Sequence, residues 1–251
     1  MKHNAGLKDV TSPLNDVAKE VVGECKGLPL AIVTMGRALK DEILDGWEAV
    51  NPRLKDSRHK ENQDVCGGIY SRLQISYDYL KGSNSRSCLL LCSLFLEGCE
   101  ISIDQLTMYG IGQGMFHDVN LLEDARREMC VTIKNLQKSG LFLEISNERR
   151  AKMHDVVRDF IHWMMSGGGN TFMVKSGLEE WPRSESFESY TAISLIKSNI
   201  NILPHKMEFP NLKTLLLEYG YKYHKGSLTR VPIMSFKGMK ALKVLVLSNI
   251  L

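Results

Sequence analysis

The spacing of apolar residues predicts two helices joined by a tight turn near the start of the chain. Residues 14–26 carry apolar side chains at three- and four-residue steps, as an amphipathic helix does: Leu14, Val17, Val21, Val22 and Cys25. Gly27 suits the left-handed conformation that ends many helices. Pro29 stands where a second helix can begin, and that helix continues through the mostly apolar residues 30–40. The polar stretch 51–64 predicts a loop or linker.

A second group of patterns predicts helices followed by a two-stranded ribbon. The clearest helical stripe lies in residues 122–138 and consists of Leu122, Ala125, Met129, Ile133 and Leu136. Apolar segments on both sides of the polar residues 147–150 then predict a short β-hairpin. Residues 153–164 predict one more helix, and the glycine run 167–169 predicts a flexible joint. We interpret residues 65–165 as a winged-helix domain.

Beyond the glycine run, leucines occupy alternate positions. The frame LKxLxL occurs at 212–217 and again at 242–247, thirty positions apart, and a related segment occupies 195–203. Alternating leucines suit the inward face of a strand, and a frame repeated at this period is typical of leucine-rich repeats. Residues 185–251 thus predict an irregular array of about three units, with Asn249 holding the turn after a strand. Because no polar cap follows, we expect the array to be incomplete at Leu251.

Together these patterns predict a fold that is mainly α at first and then α/β. A helical remnant occupies residues 1–60, the winged-helix domain 65–165, and the start of a leucine-rich-repeat solenoid 185–251. A length of 251 residues is comfortable for two or three small domains. The apolar share of 43% and the charged share of 24% are ordinary for a globular protein.

Charge and cysteine content exclude several classes of function. A net charge of +3 is too small to argue by itself for a nucleic-acid or membrane partner. The six cysteines form no CxxC pair and no zinc-like spacing with histidine, which favours buried free thiols in a reducing compartment. The N-terminal residues lack the apolar core of a secretory signal. The longest apolar run, 88–96, is far shorter than the roughly 20 residues of a membrane span.

Three motifs occur in order ahead of the leucine-rich segment: Gly27-Leu28-Pro29-Leu30, the segment 88–97, and Met153-His154-Asp155 with the residues after it. In this order and spacing they resemble the plant NB-ARC disease resistance proteins, most closely the coiled-coil class. The resemblance covers about residues 14–251. The second motif usually contains a proline, where this chain has Leu96.

The resemblance implies a molecular switch rather than an enzyme. A family member holds ADP at rest, exchanges it for ATP after pathogen sensing, and then oligomerises and triggers defence. Gly27 and Pro29 match the family's GLPL motif, whose proline packs near the adenine and ribose. His154 and Asp155 match its MHD motif, whose histidine contacts the β-phosphate of ADP and whose aspartate helps to hold the resting state. A histidine at a helix start suits this contact, since the helix N-terminus attracts anions.

Motifs absent from the sequence limit what this chain does alone. No GxxxxGK[ST] phosphate loop occurs, nor an apolar run that ends in paired aspartates for magnesium. In the family both lie upstream. We therefore expect no catalytic residue, no metal site, and little or no binding of ADP or ATP by this chain alone. The implied partners are the receptor's own nucleotide-binding domain, a pathogen effector or guarded host protein, and other receptor copies. The implied location is cytoplasmic, or peripheral at the plasma membrane.

Two other functions stay open. The helix at 122–138 would be the recognition helix of a winged-helix nucleic-acid binder, although Glu123, Asp124 and Glu128 offset its basic residues. The concave face of residues 190–251 would alternatively bind a protein partner. An enzyme has no support from GxSxG, HExxH or a convincing carboxylate pair.

Overall fold

The computed structural model describes residues 13–60, 67–117, 119–167, 171–182, 187–200, 202–205, 207–219, 232 and 235–248. Within these ranges the chain is a mixture of eight α-helices and seven short strands. In chain order they are α1 (Pro13–Glu24), α2 (Pro29–Ala38), α3 (Leu44–Lys60), α4 (Gly67–Asp78), α5 (Ser83–Cys92), β1 (Ile101–Ser102), α6 (Ile103–Gln113), α7 (Leu122–Lys138), β2 (Phe142–Leu143), β3 (Arg150–Met153), α8 (Asp155–Ser166), β4 (Thr171–Ser176), β5 (Tyr190–Ser198), β6 (Thr214–Tyr219) and β7 (Val244–Ser248).

The chain divides into two compact units. The first comprises Met1–Arg86 and Cys130–Ser146, and the second comprises Ser87–Met129 and Asn147–Leu251. No helix in the described ranges is both long enough and apolar enough to cross a bilayer.

The first unit is built on helices that bury one apolar stripe each. Helix α1 packs against α3, α2 packs against α4, and α3 also contacts α4. The three- and four-residue steps of their apolar residues put those side chains on one face of each helix. The shared core consists of Ala18, Val21, Cys25, Ala31, Met35, Leu39, Trp47, Val50, Leu54 and Ile75.

The prediction of a loop at 51–64 is wrong for residues 51–60, which belong to α3. The reason is burial: Trp47, Val50 and Leu54 lie three and four residues apart and are fully buried, so tertiary packing outweighs the polar composition of the segment. Pro52 lies inside this helix even though it lacks a backbone N–H.

The predicted helices of the second region are present. The stripe predicted at 122–138 forms α7, and four of its five apolar residues are buried, whereas Leu122 is exposed. Residues 153–164 lie largely in α8. Strands β2 and β3 lie on either side of the predicted polar turn, and β1 pairs antiparallel with β3. The assignment of 65–165 to a winged-helix domain stays a prediction, and Gly168 and Gly169 lie outside the described residues.

Four parallel strands in the order β4-β5-β6-β7 form a sheet in the second unit. The two LKxLxL frames lie side by side, because Leu215 pairs with Leu245 and Leu217 with Leu247. The sheet's core face packs on residues from the intervening segments, namely Ile200, Leu203, Met207, Phe209, Leu212 and Met239. Strand β4 was not predicted, and the leucine-rich-repeat assignment stays a prediction. Asn249 lies outside the described residues.

The opposite face of the sheet is also buried. Its residues Ala192, Ser194, Thr214, Leu216 and Val244 are each less than 7% exposed. Helix α6 approaches this face closely, because a Cβ atom added to Gly112 would lie 2.7 Å from Val244 Cγ2 and 3.2 Å from the Lys243 carbonyl oxygen. The Gln113 side-chain amide donates a hydrogen bond to the Thr214 hydroxyl. This packing requires glycine at position 112.

Candidate functional site

The turn that contains Gly27 and Pro29 has the geometry that the sequence predicted. Helix α1 ends at Glu24, and Gly27 adopts a φ of +73°, in the left-handed region. The Leu28 N–H donates to the Cys25 carbonyl oxygen at 3.0 Å, and α2 then begins at Pro29. Pro29 is exposed, so one face of a rigid ring without an N–H group is accessible beside the turn.

A buried arginine supports the end of α1 just before this turn. The Arg72 side chain on α4 is fully buried. Its Nε donates to the Glu24 carbonyl oxygen at 2.6 Å, and its Nη1 donates to the Gly68 carbonyl oxygen. Nearby, burial raises the pKa of the Cys25 thiol to about 11. Arg72 was not predicted from the sequence, because no local spacing marks an arginine as buried.

His154 occupies the N-cap position of α8. Its backbone is extended, and its carbonyl oxygen accepts hydrogen bonds from the Val157 and Arg158 N–H groups at 2.9 and 3.1 Å. The half-buried ring makes no capping bond to the helix. Its Nδ1 is shielded from solvent and has no hydrogen-bond partner within the described residues. A buried polar atom of this kind is rare and calls for an explanation.

Asp155 is the first residue of α8 and holds a neighbouring loop. Its Oδ1 accepts a hydrogen bond from the Gly98 N–H at 3.0 Å. A carboxylate in the first turn of a helix is stabilised by the partial positive charge there. Gly98 has a φ of +68°, so the loop presents its N–H to Asp155 in a conformation that favours glycine.

Two further residues of α8 bond the same loop region. Arg158 Nε donates to the Phe95 carbonyl oxygen at 2.8 Å. His162 Nε2 lies 2.8 Å from the Ser93 carbonyl oxygen, and because a carbonyl oxygen only accepts, Nε2 must carry the proton. Burial, opposed in part by this hydrogen bond, lowers the pKa of His162.

We call Asp155, Arg158 and His162 the α8 clamp. The steps of three and four residues put them on one face of the helix. The sequence analysis found Asp155 and missed the other two members, although this spacing was visible in the sequence. The spacing could not identify the partners of Arg158 and His162, which lie 63 and 69 residues away along the chain.

The four predicted site residues fall in both units. Gly27 and Pro29 belong to the first unit, and His154 and Asp155 belong to the second. That all four contribute to one ADP site stays a prediction.

Comparison with known proteins decides the family. A probable disease resistance protein of Arabidopsis thaliana is 32% identical over 245 residues, which cover 96% of this chain and 26% of that protein. A second probable disease resistance protein of the same plant is 33% identical, with coverage of 86% and 26%. A third, described as a disease resistance protein, is 30% identical, with coverage of 98% and 25%. The chain belongs to the plant disease resistance proteins. It spans about a quarter of the length of these relatives.

No model of a known protein family matches this disease resistance segment. Its identification therefore depends on the three relatives and on the ordered motifs.

A cleft of about 620 Å³ in the first unit is a separate feature of the disease resistance segment. Its charged lining residues are Arg37, Lys40, Asp41, Lys81, Lys138 and Glu144. Arg37 Nη1 donates to the Gln137 carbonyl oxygen at 2.9 Å, and Lys81 pairs with Asp41 at 3.6 Å. These cations thus have partners, and the cleft lies at the C-terminal end of α2, whereas Pro29 lies at the other end.

Within the described ranges, no three histidine, cysteine, aspartate or glutamate side chains are placed to hold a metal ion. Cys25, Cys88 and Cys92 are buried free thiols, whereas Cys99 and Cys130 are half-buried. Cys66 lies outside the described residues.

Proposed function

We propose that this segment is the nucleotide-sensing part of an intracellular plant immune receptor. In the intact receptor, ADP holds the resting state, and its exchange for ATP starts oligomerisation and the defence response to pathogens. The observation that carries the proposal is the His154 ring: its Nδ1 is shielded from solvent, lacks a partner among the described residues, and lies at the N-terminus of α8.

A diphosphate is the ligand that this arrangement suits best. The N-terminus of a helix carries a partial positive charge and attracts phosphate groups. An imidazole N–H there donates to a phosphate oxygen only when the phosphate and the helix are held together. His154 would therefore report the presence of the β-phosphate and would not take part in chemistry.

Gly27 and Pro29 would serve the adenine and ribose of the nucleotide. The exposed Pro29 ring is rigid and has no N–H group, so it can pack against a nucleobase without leaving a donor unpaired. The phosphate cradle and the metal ligands would come from the upstream nucleotide-binding domain of the receptor. On this proposal the segment has no catalytic residue of its own.

The proposed domain organisation follows the motifs. Residues 1–60 would be the helical remnant of the NB-ARC region, 65–165 a winged-helix domain, and 185–251 the first leucine-rich repeats. The buried leucines of the parallel sheet support the last assignment. The receptor would act in the cytoplasm, through its own nucleotide-binding domain, an effector or guarded host protein, and other receptor copies.

Asp155→Val in a full-length receptor that contains this segment tests the proposal. Valine cannot accept the Gly98 hydrogen bond, so the resting state should weaken and the receptor should signal without a pathogen. The measurement is cell death in leaves that express the variant, with receptor accumulation checked in parallel. Asp159→Asn is the matched control, since Asp159 is an exposed carboxylate on the same helix. An Asp155→Val receptor that accumulates normally and stays silent would count against the switch.

The contacts of the described residues support neither of the two alternatives, a nucleic-acid binder or a leucine-rich protein-interaction module. On α7, Arg126 pairs with Asp104 at 2.6 Å and with Glu123 at 2.7 Å, and Arg127 pairs with Asp124. These pairs neutralise both arginines of that helix, and arginine is a common phosphate contact in nucleic-acid binders.

For a protein partner, the sheet face that includes Ala192, Thr214 and Val244 is buried. Partner recognition through this face is therefore not favoured either.

A further inference from the structure

The α8 clamp joins the helix that follows His154 to the end of another helix. Its three partners lie in Ser93–Gly98, directly after the last residue of α5, Cys92. The clamp members and their partners run in opposite directions, since Asp155 bonds Gly98 and His162 bonds Ser93. Three bonds spread over two turns of α8 fix both its rotation and its position along its axis.

Each clamp contact pairs a donor with an acceptor of opposite partial charge. The Ser93 and Phe95 carbonyl groups lie just beyond the last residue of α5, and each is a strong hydrogen-bond acceptor that needs a donor when it is buried. Arg158, whose side chain is only 15% exposed, brings a cation to the Phe95 carbonyl oxygen. His162 brings a ring N–H to the Ser93 carbonyl oxygen. At the other end of the segment the polarity reverses, because the Gly98 N–H meets the Asp155 carboxylate.

His154 directly precedes the first member of the clamp, so its ring position depends on where α8 is held. We propose that Arg158 and His162 are positioning residues for His154, and that with Asp155 they hold it in the nucleotide-sensing position. The clamp as a whole, rather than Asp155 alone, then sets the resting state. This inference rests on the proposed function through the role of His154.

The alternative is that Arg158 and His162 only stabilise the fold. The two roles differ in what they change. A purely stabilising residue affects the melting temperature and leaves the ADP dissociation rate of the folded receptor unchanged. A positioning residue changes that dissociation rate, and a substitute that keeps the donor restores it.

The test uses paired variants of the full-length receptor. Arg158→Ala and His162→Phe remove the donor, whereas Arg158→Lys and His162→Gln keep a donor on a side chain of similar reach. Asp159→Asn is again the charge control, because Asp159 forms an ion pair with Arg158 at 3.8 Å and takes part in none of the three clamp hydrogen bonds. His154→Ala is the reference for loss of the sensor itself. The readouts are the release rate of pre-bound labelled ADP and the melting temperature.

We expect the two donor-removing variants to release ADP about tenfold faster, which is the loss of one good hydrogen bond to a charged or buried group. The donor-keeping variants should stay within about twofold of the parent rate on the same basis, and Asp159→Asn should match the parent. If His154→Ala accelerates release while the donor-removing variants do not, the positioning role is wrong and the proposed function survives. If His154→Ala has no effect, both proposals fail.

A second measurement tests the inference in case a full-length receptor variant does not accumulate to a measurable level. In the 251-residue chain, nuclear magnetic resonance reports hydrogen exchange at the Gly98 amide, which bonds Asp155, whereas Arg158 bonds Phe95 and His162 bonds Ser93. His162→Phe should speed exchange at this amide, and His162→Gln should not. Equal exchange rates in the parent and in His162→Phe would show that the clamp members act independently, and would overturn the inference.

Discussion

At the residue scale, Gly27 shows how a single backbone angle shapes the candidate site. Its φ of +73° is one that residues with a Cβ adopt only at a cost. No heavy atom lies within 4 Å of the Cβ position there, so substitution at Gly27 introduces backbone strain and no clash. The direction in which the chain leaves α1 and enters α2 at Pro29 depends on this conformation.

Gly27→Ala should therefore lower the free energy of unfolding of the chain by about 1 kcal/mol, the usual cost of a left-handed alanine. Gly23→Ala is the matched control, because Gly23 lies inside α1 and also has open space around it. There the helix propensity of alanine should raise the stability by about 0.5–1 kcal/mol. Urea unfolding of the two variants measures both effects, and shifts in the same direction would contradict the role given to φ.

Residues with a local signature were the ones that the sequence could predict. Gly27 and Pro29 predict a turn through their own backbone requirements, and Asp155 belongs to the motif Met153-His154-Asp155. Arg72 and His162 act through carbonyl groups that are distant in sequence, 48 and 69 residues away. No property of a single sequence window fixes such partners, because they depend on how the helices pack.

At the element scale, the close approach of α6 to the parallel sheet is a tightly constrained packing in the second unit. Gly112 lies against Val244 and against the backbone of Lys243. Backbone cannot move away as the tip of a long side chain can. The position of α6 on the sheet therefore depends on the absence of a side chain at residue 112.

Gly112→Ala should destabilise the chain by about 1–3 kcal/mol, the usual cost of overpacking, in spite of alanine's higher helix propensity. Val244→Ala removes the Cγ2 atom that lies 2.7 Å from the new methyl group, so the double variant should lose less stability than the two single variants combined. A double-mutant cycle from chemical denaturation measures the coupling. Additive losses would mean that Gly112 does not face Val244 in solution.

Helices with strong apolar periods were predictable, and two elements show where that signal ended. In α3 the polar residues after Leu54 gave no helical pattern, so the helix was not predicted there. The helix forms because Trp47, Val50 and Leu54 are buried in its first part, and the polar residues continue it. Strand β4 shows little alternation of apolar and polar residues. It is defined by its pairing with β5, which is a long-range contact that composition does not reveal.

At the scale of the whole molecule, the family of this segment is established by its similarity to plant disease resistance proteins. It matches about a quarter of each Arabidopsis protein compared. The sequence of this chain contains no phosphate-loop motif. The order of the motifs was sufficient to predict the family. The contacts of His162 and Arg158 with Ser93 and Phe95 were not predictable in the same way, because they join residues that are far apart in sequence.

The isolated chain should therefore bind ADP weakly or not at all. Most of the affinity for a nucleoside diphosphate comes from a backbone cradle around the phosphates and from a metal ion. Pro29 and His154 provide neither. Calorimetric titration of ADP into the 251-residue chain should give no measurable low-micromolar binding, while a full-length receptor measured under the same conditions should retain the nucleotide. Low-micromolar affinity of the isolated chain would contradict this expectation.

The parallel sheet is enclosed on both of its sides, and this has a consequence for molecular recognition. Side chains such as Ala192, Thr214 and Leu216 have the solvent exposure of an interior. An outside molecule that reached Thr214 would first have to displace Gln113, whose side-chain amide donates to its hydroxyl. Under the proposed function, variation that alters recognition should therefore accumulate at the loops and strand ends, while the buried faces of these strands evolve under the volume constraints of a protein interior.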